Sequence, residues 1–121
     1  MAFSRHDVGA SDDFVPGRLY SIELNGRGLV LFRRDDQFFA MRDVCPHQGA
    51  RLSDGWLQGT TLPCLPGTPI VYGRDQEIVV CPWHGWEFDG GTGCSIVDPD
   101  RARVRTYPAI VEDCRVIVEL A

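Results

Sequence analysis

Two short motifs contain most of the residues in this chain that could bind a metal. They are Cys45-Pro46-His47-Gln48-Gly49 and Cys81-Pro82-Trp83-His84-Gly85-Trp86, and each places a Cys shortly before a His. The chain has only three His, and two of them lie in these motifs. Thiolate and imidazole are both good ligands for iron and zinc. Two loops that come together would therefore offer one metal centre four ligands: Cys45, His47, Cys81 and His84.

The ligand set by itself fits two kinds of centre. Two Cys and two His often bind a structural zinc ion, and they also bind a [2Fe–2S] cluster in which His replaces Cys on one of the irons. Zinc does not require the Pro and Gly residues that frame both motifs, nor two matching loop ends. We therefore expect one [2Fe–2S] cluster per chain and keep a structural zinc domain as the alternative.

The residues around the ligands suit a stiff loop that approaches a cluster closely. Pro46 and Pro82 fix φ and lack an N–H group, and Gly49 and Gly85 allow sharp turns. Backbone N–H groups in such loops can hydrogen-bond the sulfides and tune the reduction potential. Three aromatic residues are expected to shield the cluster from water, with an ordinary place in the core as the alternative for each: Trp83, Trp86 and Phe88.

The segments that carry the motifs have the pattern of an all-β protein. No segment of helical length shows a convincing 3.6-residue periodicity, and the turn-rich segment Leu57–Pro69 is predicted to be a surface loop. Alternating residues and turn signals predict strands at Arg18–Leu24, Gly28–Arg33, Gln37–Arg42, Pro69–Tyr72, Glu77–Val80, Glu87–Asp89, Ala102–Tyr107, Ala109–Glu112 and Arg115–Leu120. Turns between neighbouring strands are predicted at Asn25-Gly26, Asp35-Asp36 and Gly73-Arg74-Asp75. Many short strands separated by Gly and Pro indicate a small barrel or sandwich.

Length and charge limit the organisation and the partners. The 121 residues suffice for one domain with a modest core, which we place over 1–121, with a polar tail at 1–14 and a cluster-binding region at 43–89. A net charge of −5 disfavours nucleic acid and suits docking on a basic protein. The first residues lack the apolar stretch of a signal peptide, and no run could span a membrane. We therefore expect a cytoplasmic protein with no membrane partner.

The paired motifs resemble the two cluster-binding boxes of Rieske [2Fe–2S] proteins. The strand order from about Val15 to Leu120 is also similar to that of the Rieske ferredoxin domain. The resemblance implies an all-β fold, a small antiparallel β-sandwich or barrel with a cluster-binding subdomain formed by two loops. It also implies ligand roles, in which Cys45 and Cys81 bind one iron while His47 and His84, at the exposed tip, bind the other.

Some features differ from other members of that family. Ala50 and Trp83 stand where respiratory members have two disulfide-bonded Cys, and Trp86 stands where they have a Ser that hydrogen-bonds a sulfide. Fewer hydrogen bonds to sulfur predict a potential near the low end of the Rieske range of roughly −150 to +300 mV. The motifs are also further apart than is usual in the ferredoxin branch, which predicts an inserted loop at about 59–75, either a cap on the cluster or a plain surface loop.

These features predict electron transfer and no catalysis by the chain itself. A cluster with four protein ligands has no open position for substrate, and only His6 remains for the mononuclear iron that an oxygenase would need. We expect a ferredoxin that accepts electrons from a reductase and passes them to a terminal oxygenase. The alternative is a fixed small subunit, or a redox-sensing or interaction module, of a larger enzyme such as a nitrite-reductase-like assembly. His6 and three further Cys are expected to be ordinary: Cys64, Cys94 and Cys114.

Overall fold

The computed structural model describes residues 4–46, 49–61, 66–67, 72–83, 85–97, 100 and 102–120. Within them the chain forms short β-strands joined by turns, with 3-10 turns at Ser11–Asp13 and Leu52–Asp54 and no α-helix. The strands are β1 (Ser4–Ala10), β2 (Leu19–Leu24), β3 (Arg27–Arg34), β4 (Gln37–Arg42), β5 (Trp56–Thr61), β6 (Tyr72–Val80), β7 (Glu87–Asp89), β8 (Thr106–Tyr107), β9 (Ala109–Glu112) and β10 (Arg115–Leu120). The predicted all-β fold class is confirmed.

The strands form three antiparallel sheets. Their orders are β1-β10-β9, β2-β3-β4-β8 and β5-β6-β7. The third sheet lies at the ligand motifs, because β6 ends at Val80, directly before Cys81, and β7 begins at Glu87, directly after Trp86. The first motif follows the end of β4, so one ligand loop belongs to the second sheet and the other to the third.

Strand β3 separates two hydrophobic cores. Its residues from Leu29 to Phe32 are all buried, although a strand sends alternate side chains to opposite faces. Leu29 and Leu31 pack in one core with residues of β10, and Val30 and Phe32 pack in the other with residues of β6 and β7. The second core also contains Cys45 and Cys81, so the candidate ligands are anchored in packed apolar structure.

The expected polar tail at residues 1–14 is wrong for the described part of that segment. Ser4–Ala10 is strand β1, which pairs with β10 along its length and has an irregularity between Asp7 and Gly9. Its exposed residues alternate with partly buried ones, and Val8 packs against the core on the β10 side. Pairing with a strand from the other end of the chain therefore supplies the order that the local sequence does not show.

The prediction for the segment between the two motifs is also partly wrong. Trp56–Thr61 is strand β5, so the expected loop at Leu57–Pro69 begins later, and β6 runs from Tyr72 to Val80 without the expected turn at residues 73–75. Instead, the pairing shifts between Gln58, opposite Ile78, and Thr60, opposite Gly73. The surplus residues of β6 thus form a bulge. Residues 62–65 and 68–71 of the expected insertion lie outside the described residues.

One further strand is shorter than predicted. In place of Ala102–Tyr107, the structure has a single bridge between Cys94 and Arg103, and then the two-residue strand β8. No helix among the described residues has the length and hydropathy needed to cross a membrane.

Candidate metal centre

The first ligand loop closes on itself immediately after β4. The backbone N–H of Cys45 donates to the carbonyl oxygen of Ala50 at 2.8 Å, and the N–H of Gly49 donates to the carbonyl oxygen of Cys45 at 2.8 Å. Gly49 has φ +77°, a conformation that costs side-chain-bearing residues free energy. The Cys45 side chain is buried. These hydrogen bonds therefore join the two ends of the loop, and its thiol is buried in the core.

The second ligand loop repeats this closure. The N–H of Cys81 donates to the carbonyl oxygen of Trp86 at 2.8 Å, so in both loops the Cys bonds to the residue five positions later. The glycine four positions after the Cys also has a positive φ in both loops, +70° at Gly85 and +77° at Gly49. The two loops thus share this closure and a glycine of similar conformation, although one motif has a single residue between Cys and His and the other has two.

The structure brings Cys45 and Cys81 together. Both are buried free thiols in the same core, and their side chains interact. Burial is the main cause that raises the pKa of the Cys81 thiol, and the neighbouring Cys45 raises it further, whereas a backbone hydrogen bond at Trp83 opposes both effects. Two thiols held side by side on separate loops are suited to bind the same metal ion.

The predicted imidazole ligands lie outside the described residues. His47 and His84 belong to that group, as does Gln48, so their roles stay predictions. Among the residues that the structure does describe, no group of three or more His, Cys, Asp and Glu is gathered as a metal site. Cys94 is partly buried and Cys114 is exposed, and both are free thiols. His6 lies on β1, where its Nε2 contacts Ser4 Oγ at 2.8 Å.

The framing residues differ in their exposure. Pro46 is exposed and Pro82 is partly buried. Of the three aromatic residues expected to shield the centre, Trp83 is 51% exposed, Trp86 packs on the edge of the core, and Phe88 is fully buried among the residues that surround the two thiols. Trp86 and Phe88 stack with ring centroids 6.4 Å apart. Exclusion of water on the core side therefore depends on Phe88 and Trp86.

Polar residues outside the two motifs hold the first loop in place, and no motif in the sequence predicted them. Asp43 follows β4 and is buried, and its carboxylate accepts hydrogen bonds from both the backbone N–H and the hydroxyl of Ser53. Arg51 approaches the same carboxylate. The available sequence signal was Asp43, between the end of a strand and the first motif, together with Ser53 ten positions later.

The residues present fit an iron–sulfur cluster. Two adjacent buried thiols on separate loops would supply two sulfur ligands to one iron. Each motif also contains a His, and both of these His lie outside the described residues. The surrounding residues are apolar and closely packed, which limits the access of water to such a centre.

Comparison with known proteins agrees with this chemistry. The family described as the Rieske [2Fe–2S] domain matches residues 4–108. The chain belongs to this family. The expected resemblance is confirmed, the cofactor of this Rieske protein is a [2Fe–2S] cluster, and the protein is an electron carrier. The zinc alternative is set aside by the same finding.

Individual relatives cover nearly the whole Rieske chain. It is 30% identical over 112 residues to the ferredoxin component of a naphthalene 1,2-dioxygenase system from Pseudomonas putida. This alignment covers 93% of this chain and 91% of that protein. It is 29% identical over 114 residues to the ferredoxin component of naphthalene 1,2-dioxygenase/salicylate 5-hydroxylase systems from Ralstonia sp, covering 94% and 93%.

Two solved structures are similar at 27% identity. One is a chain in the complex of reduced oxygenase and oxidized ferredoxin in carbazole 1,9a-dioxygenase, with a TM-score of 0.72 over 93% of this chain and 99% of that chain. The other is a chain assigned as the small subunit of an NADH-dependent nitrite reductase from Mycobacterium tuberculosis, with a TM-score of 0.77 over 100% and 98%.

Proposed function

We propose that this protein is a ferredoxin that carries single electrons from a reductase to a terminal oxygenase. The observation that carries the proposal is its similarity to ferredoxin components of oxygenase systems over more than nine-tenths of their length. The family match agrees, since residues 4–108 match the Rieske [2Fe–2S] domain.

The proposed ligand set assigns Cys45 and Cys81 to one iron and His47 and His84 to the other. When bound, the cluster supplies a one-electron couple with a potential above that of all-Cys ferredoxins, because neutral His replaces charged thiolate. The residues of the chain hold, orient and shield this centre. The two equivalent loop closures fix the position of each Cys, and the core behind them excludes water.

Partner contact is proposed at the end of the molecule that carries the two loops. Val44, next to Cys45, and Trp83, two residues after Cys81, expose 41% and 51% of their surface. Exposed apolar side chains beside a buried redox centre suit a transient interface, in which aromatic residues are often enriched. A partner that covers Val44 and Trp83 would therefore contact residues that are close in sequence to both cysteines.

The test is direct measurement of the cluster and of electron transfer. The purified protein should be red-brown, contain two irons per chain and give a rhombic EPR signal on reduction. Addition of catalytic reductase and NADH should reduce it, and oxygenase turnover should then depend on its concentration. Failure of the reduced protein to support any oxygenase, with the EPR signal intact, would contradict the ferredoxin role and leave the cluster assignment standing.

A second candidate is the fixed small subunit of a larger enzyme. The similarity over the full chain to a structure assigned as a nitrite reductase small subunit favours it. This role predicts that the protein co-purifies with a large catalytic subunit at equal stoichiometry, whereas a free ferredoxin elutes alone. We propose the cytoplasm as its compartment in either role, because the described cysteines, Cys45, Cys81, Cys94 and Cys114, are free thiols.

A further inference from the structure

The buried carboxylate of Asp43 lies at the base of the first ligand loop. Only 4% of its side chain is exposed, and it stands two residues before Cys45. Its Oδ1 accepts the backbone N–H of Ser53 at 2.6 Å, and its Oδ2 accepts the Ser53 hydroxyl at 2.5 Å. Arg51 Nε lies 3.6 Å from Oδ2. Every one of these groups is a donor, so the carboxylate serves as an acceptor.

These contacts close the loop and fasten it to the second sheet. The bond between Asp43 and Ser53 joins the two ends of a segment that includes Cys45 and the buried Leu52. The backbone N–H of Asp43 donates to the carbonyl oxygen of Gly28 on β3 at 3.0 Å. Arg51 Nη2 donates to Ser21 Oγ on β2 at 2.8 Å. The clamp therefore fixes where the first loop stands relative to strands β2 and β3.

Holding a loop with a buried carboxylate is energetically unfavourable compared with a neutral hydrogen-bond acceptor. Removing a charged group from water costs free energy that hydrogen bonds and one half-exposed guanidinium only partly return. A neutral acceptor would hold Ser53 at lower cost. The negative charge itself acts on its surroundings in a way that a neutral clamp would not, and Cys45 stands only two residues away in the chain.

We propose that Asp43 is a positioning residue that also sets the reduction potential. Its clamp on Ser53 holds Cys45 beside Cys81, and its charge makes the addition of an electron to the centre less favourable. Arg51 opposes that charge from the side of the solvent, so the field at the centre depends on all three residues. This inference rests on the proposed ligand set, in which Cys45 binds iron.

The test compares three variants of the holoprotein by spectroelectrochemical titration. Asp43→Asn removes the charge and keeps one acceptor oxygen, so the potential should rise. Ser53→Ala removes a hydrogen-bond donor to the carboxylate, and Arg51→Gln removes a positive charge near it. Both variants should therefore have a lower reduction potential than the wild type. Simple loosening of the loop would move all three variants in one direction. Opposite signs are therefore the result expected from the charge.

Cluster retention tests the clamp. Ser53→Ala should release iron to a chelator about tenfold faster than the wild type, because a charge-assisted hydrogen bond in a buried site is lost. The matched control is Asp7→Asn. Asp7 also binds a backbone N–H and an Arg, but it lies on β1 and is exposed. This control should leave both the potential and the release rate unchanged.

Several results would overturn the inference. One is a shift of the reduction potential in the same direction in Asp43→Asn and Arg51→Gln. Another is that the clamp variants have the same potentials and iron-release rates as Asp7→Asn. If Asp43→Asn does not assemble, Ser53→Ala and Arg51→Gln decide, and a rise or no change in their potentials overturns it. A wild-type protein without the reduced EPR signal would instead refute the proposed cluster and ligand set.

Discussion

At the scale of single residues, the two ligand loops are built by one rule. In each, the Cys N–H bonds to the carbonyl oxygen five positions later, and a glycine with positive φ stands one position before that acceptor. The sequence motifs differ in the distance from Cys to His, and the backbone closure does not. The shared closure thus positions the two thiols.

Replacing Cys45 with Ser should abolish the cluster. In the proposed ligand set the Cys45 thiolate binds iron, and a hydroxyl has a pKa too high to replace it at neutral pH. We expect Cys45→Ser to lose the visible absorption and the bound iron. Cys94→Ser and Cys114→Ser are the controls, because neither residue takes part in the loop closures, and both variants should keep two irons per chain. Equal iron loss in a control would count against the assignment.

Gly85→Ala should cost stability and also disturb the centre. Gly85 has φ +70°, and among the described residues no atom beyond its chain neighbours lies within 4 Å of an added Cβ. The expected cost is therefore backbone strain, about 1 kcal/mol of unfolding free energy. Gly26 is the matched control, with φ +76° and the same open surroundings in the β2–β3 turn. Urea unfolding should show similar losses in both variants.

The two glycine variants should differ in the redox centre. Gly85→Ala strains the loop that carries Cys81, so we expect an altered reduced EPR spectrum or potential. Gly26→Ala should leave both unchanged. An equal spectral change in the two variants would show that strain anywhere in the fold reaches the centre, and the special role of the loop closure would then be lost.

At the scale of elements, the sequence predicted the strands whose signals are local. The β2–β3 turn at Asn25-Gly26 and the β3–β4 turn at Asp35 were expected from their residue types, and Asn25 and Asp35 indeed have positive φ. Strong alternation and turn residues sufficed for β2, β3 and β4. The two ligand motifs were also local signals, which is why the cysteine pair could be predicted before the fold.

The strands that were missed depend on distant partners. Ser4–Ala10 contains a single large apolar residue, Val8, and becomes β1 only by pairing with β10 at the opposite end of the chain. Gly73-Arg74-Asp75 has the composition of a turn, yet it lies in the bulged part of β6, opposite β5. Short-range composition cannot distinguish a bulge from a turn, because both need residues that leave the regular ladder.

The pairing of β1 with β10 should give a small stability term that depends on pH. Asp7 binds Arg115 through both carboxylate oxygens, at 3.0 Å from Nε and from Nη2, and this hydrogen bonding is the main cause that lowers the pKa of Asp7 below its ordinary value of 3.8. The contribution is complete above the unfolded pKa and is lost as the pH falls through the lower folded pKa. Asp7→Asn should therefore be less stable than the wild type at neutral pH.

The difference between the two proteins should have a defined pH profile. Urea midpoints from far-ultraviolet circular dichroism should differ by a constant amount at neutral and mildly acidic pH, and the gap should close below about pH 3.8. Arg115→Gln should reproduce the loss, and the double variant should add nothing further. A gap that persists at the lowest pH would mean that Asp7 acts through packing and not through its charge.

At the scale of the whole molecule, one pair of strands contributes to two hydrophobic cores. Strands β3 and β4 form the wall between the core that packs against β10 and the core that holds the two cysteines. Leu29 and Leu31 face the first core, and Val30 and Phe32 face the second. The two cysteines are thus buried in the second core, while the docking surface proposed above consists of exposed residues next to them in the sequence, Val44 and Trp83.

Net charge should govern how fast the proposed partner binds. With 17 acidic and 12 basic residues, the protein attracts a basic docking surface at long range. Salt shortens the Debye length from about 30 Å at 0.01 M to about 8 Å at 0.15 M, so the association rate with a basic oxygenase should fall several-fold between these conditions. Stopped-flow mixing of reduced protein with oxidised oxygenase measures that rate directly.

A pair of variants with the same change in charge locates the effect. Asp54→Asn removes an exposed carboxylate next to the first ligand loop, and Asp113→Asn removes one in the β9–β10 turn, where Asn also tolerates the observed φ of 50°. Because attraction is strongest for charges near the docking face, Asp54→Asn should reduce the salt dependence more. Equal slopes would place docking away from the loops, and a rate independent of salt would remove electrostatic steering from the mechanism.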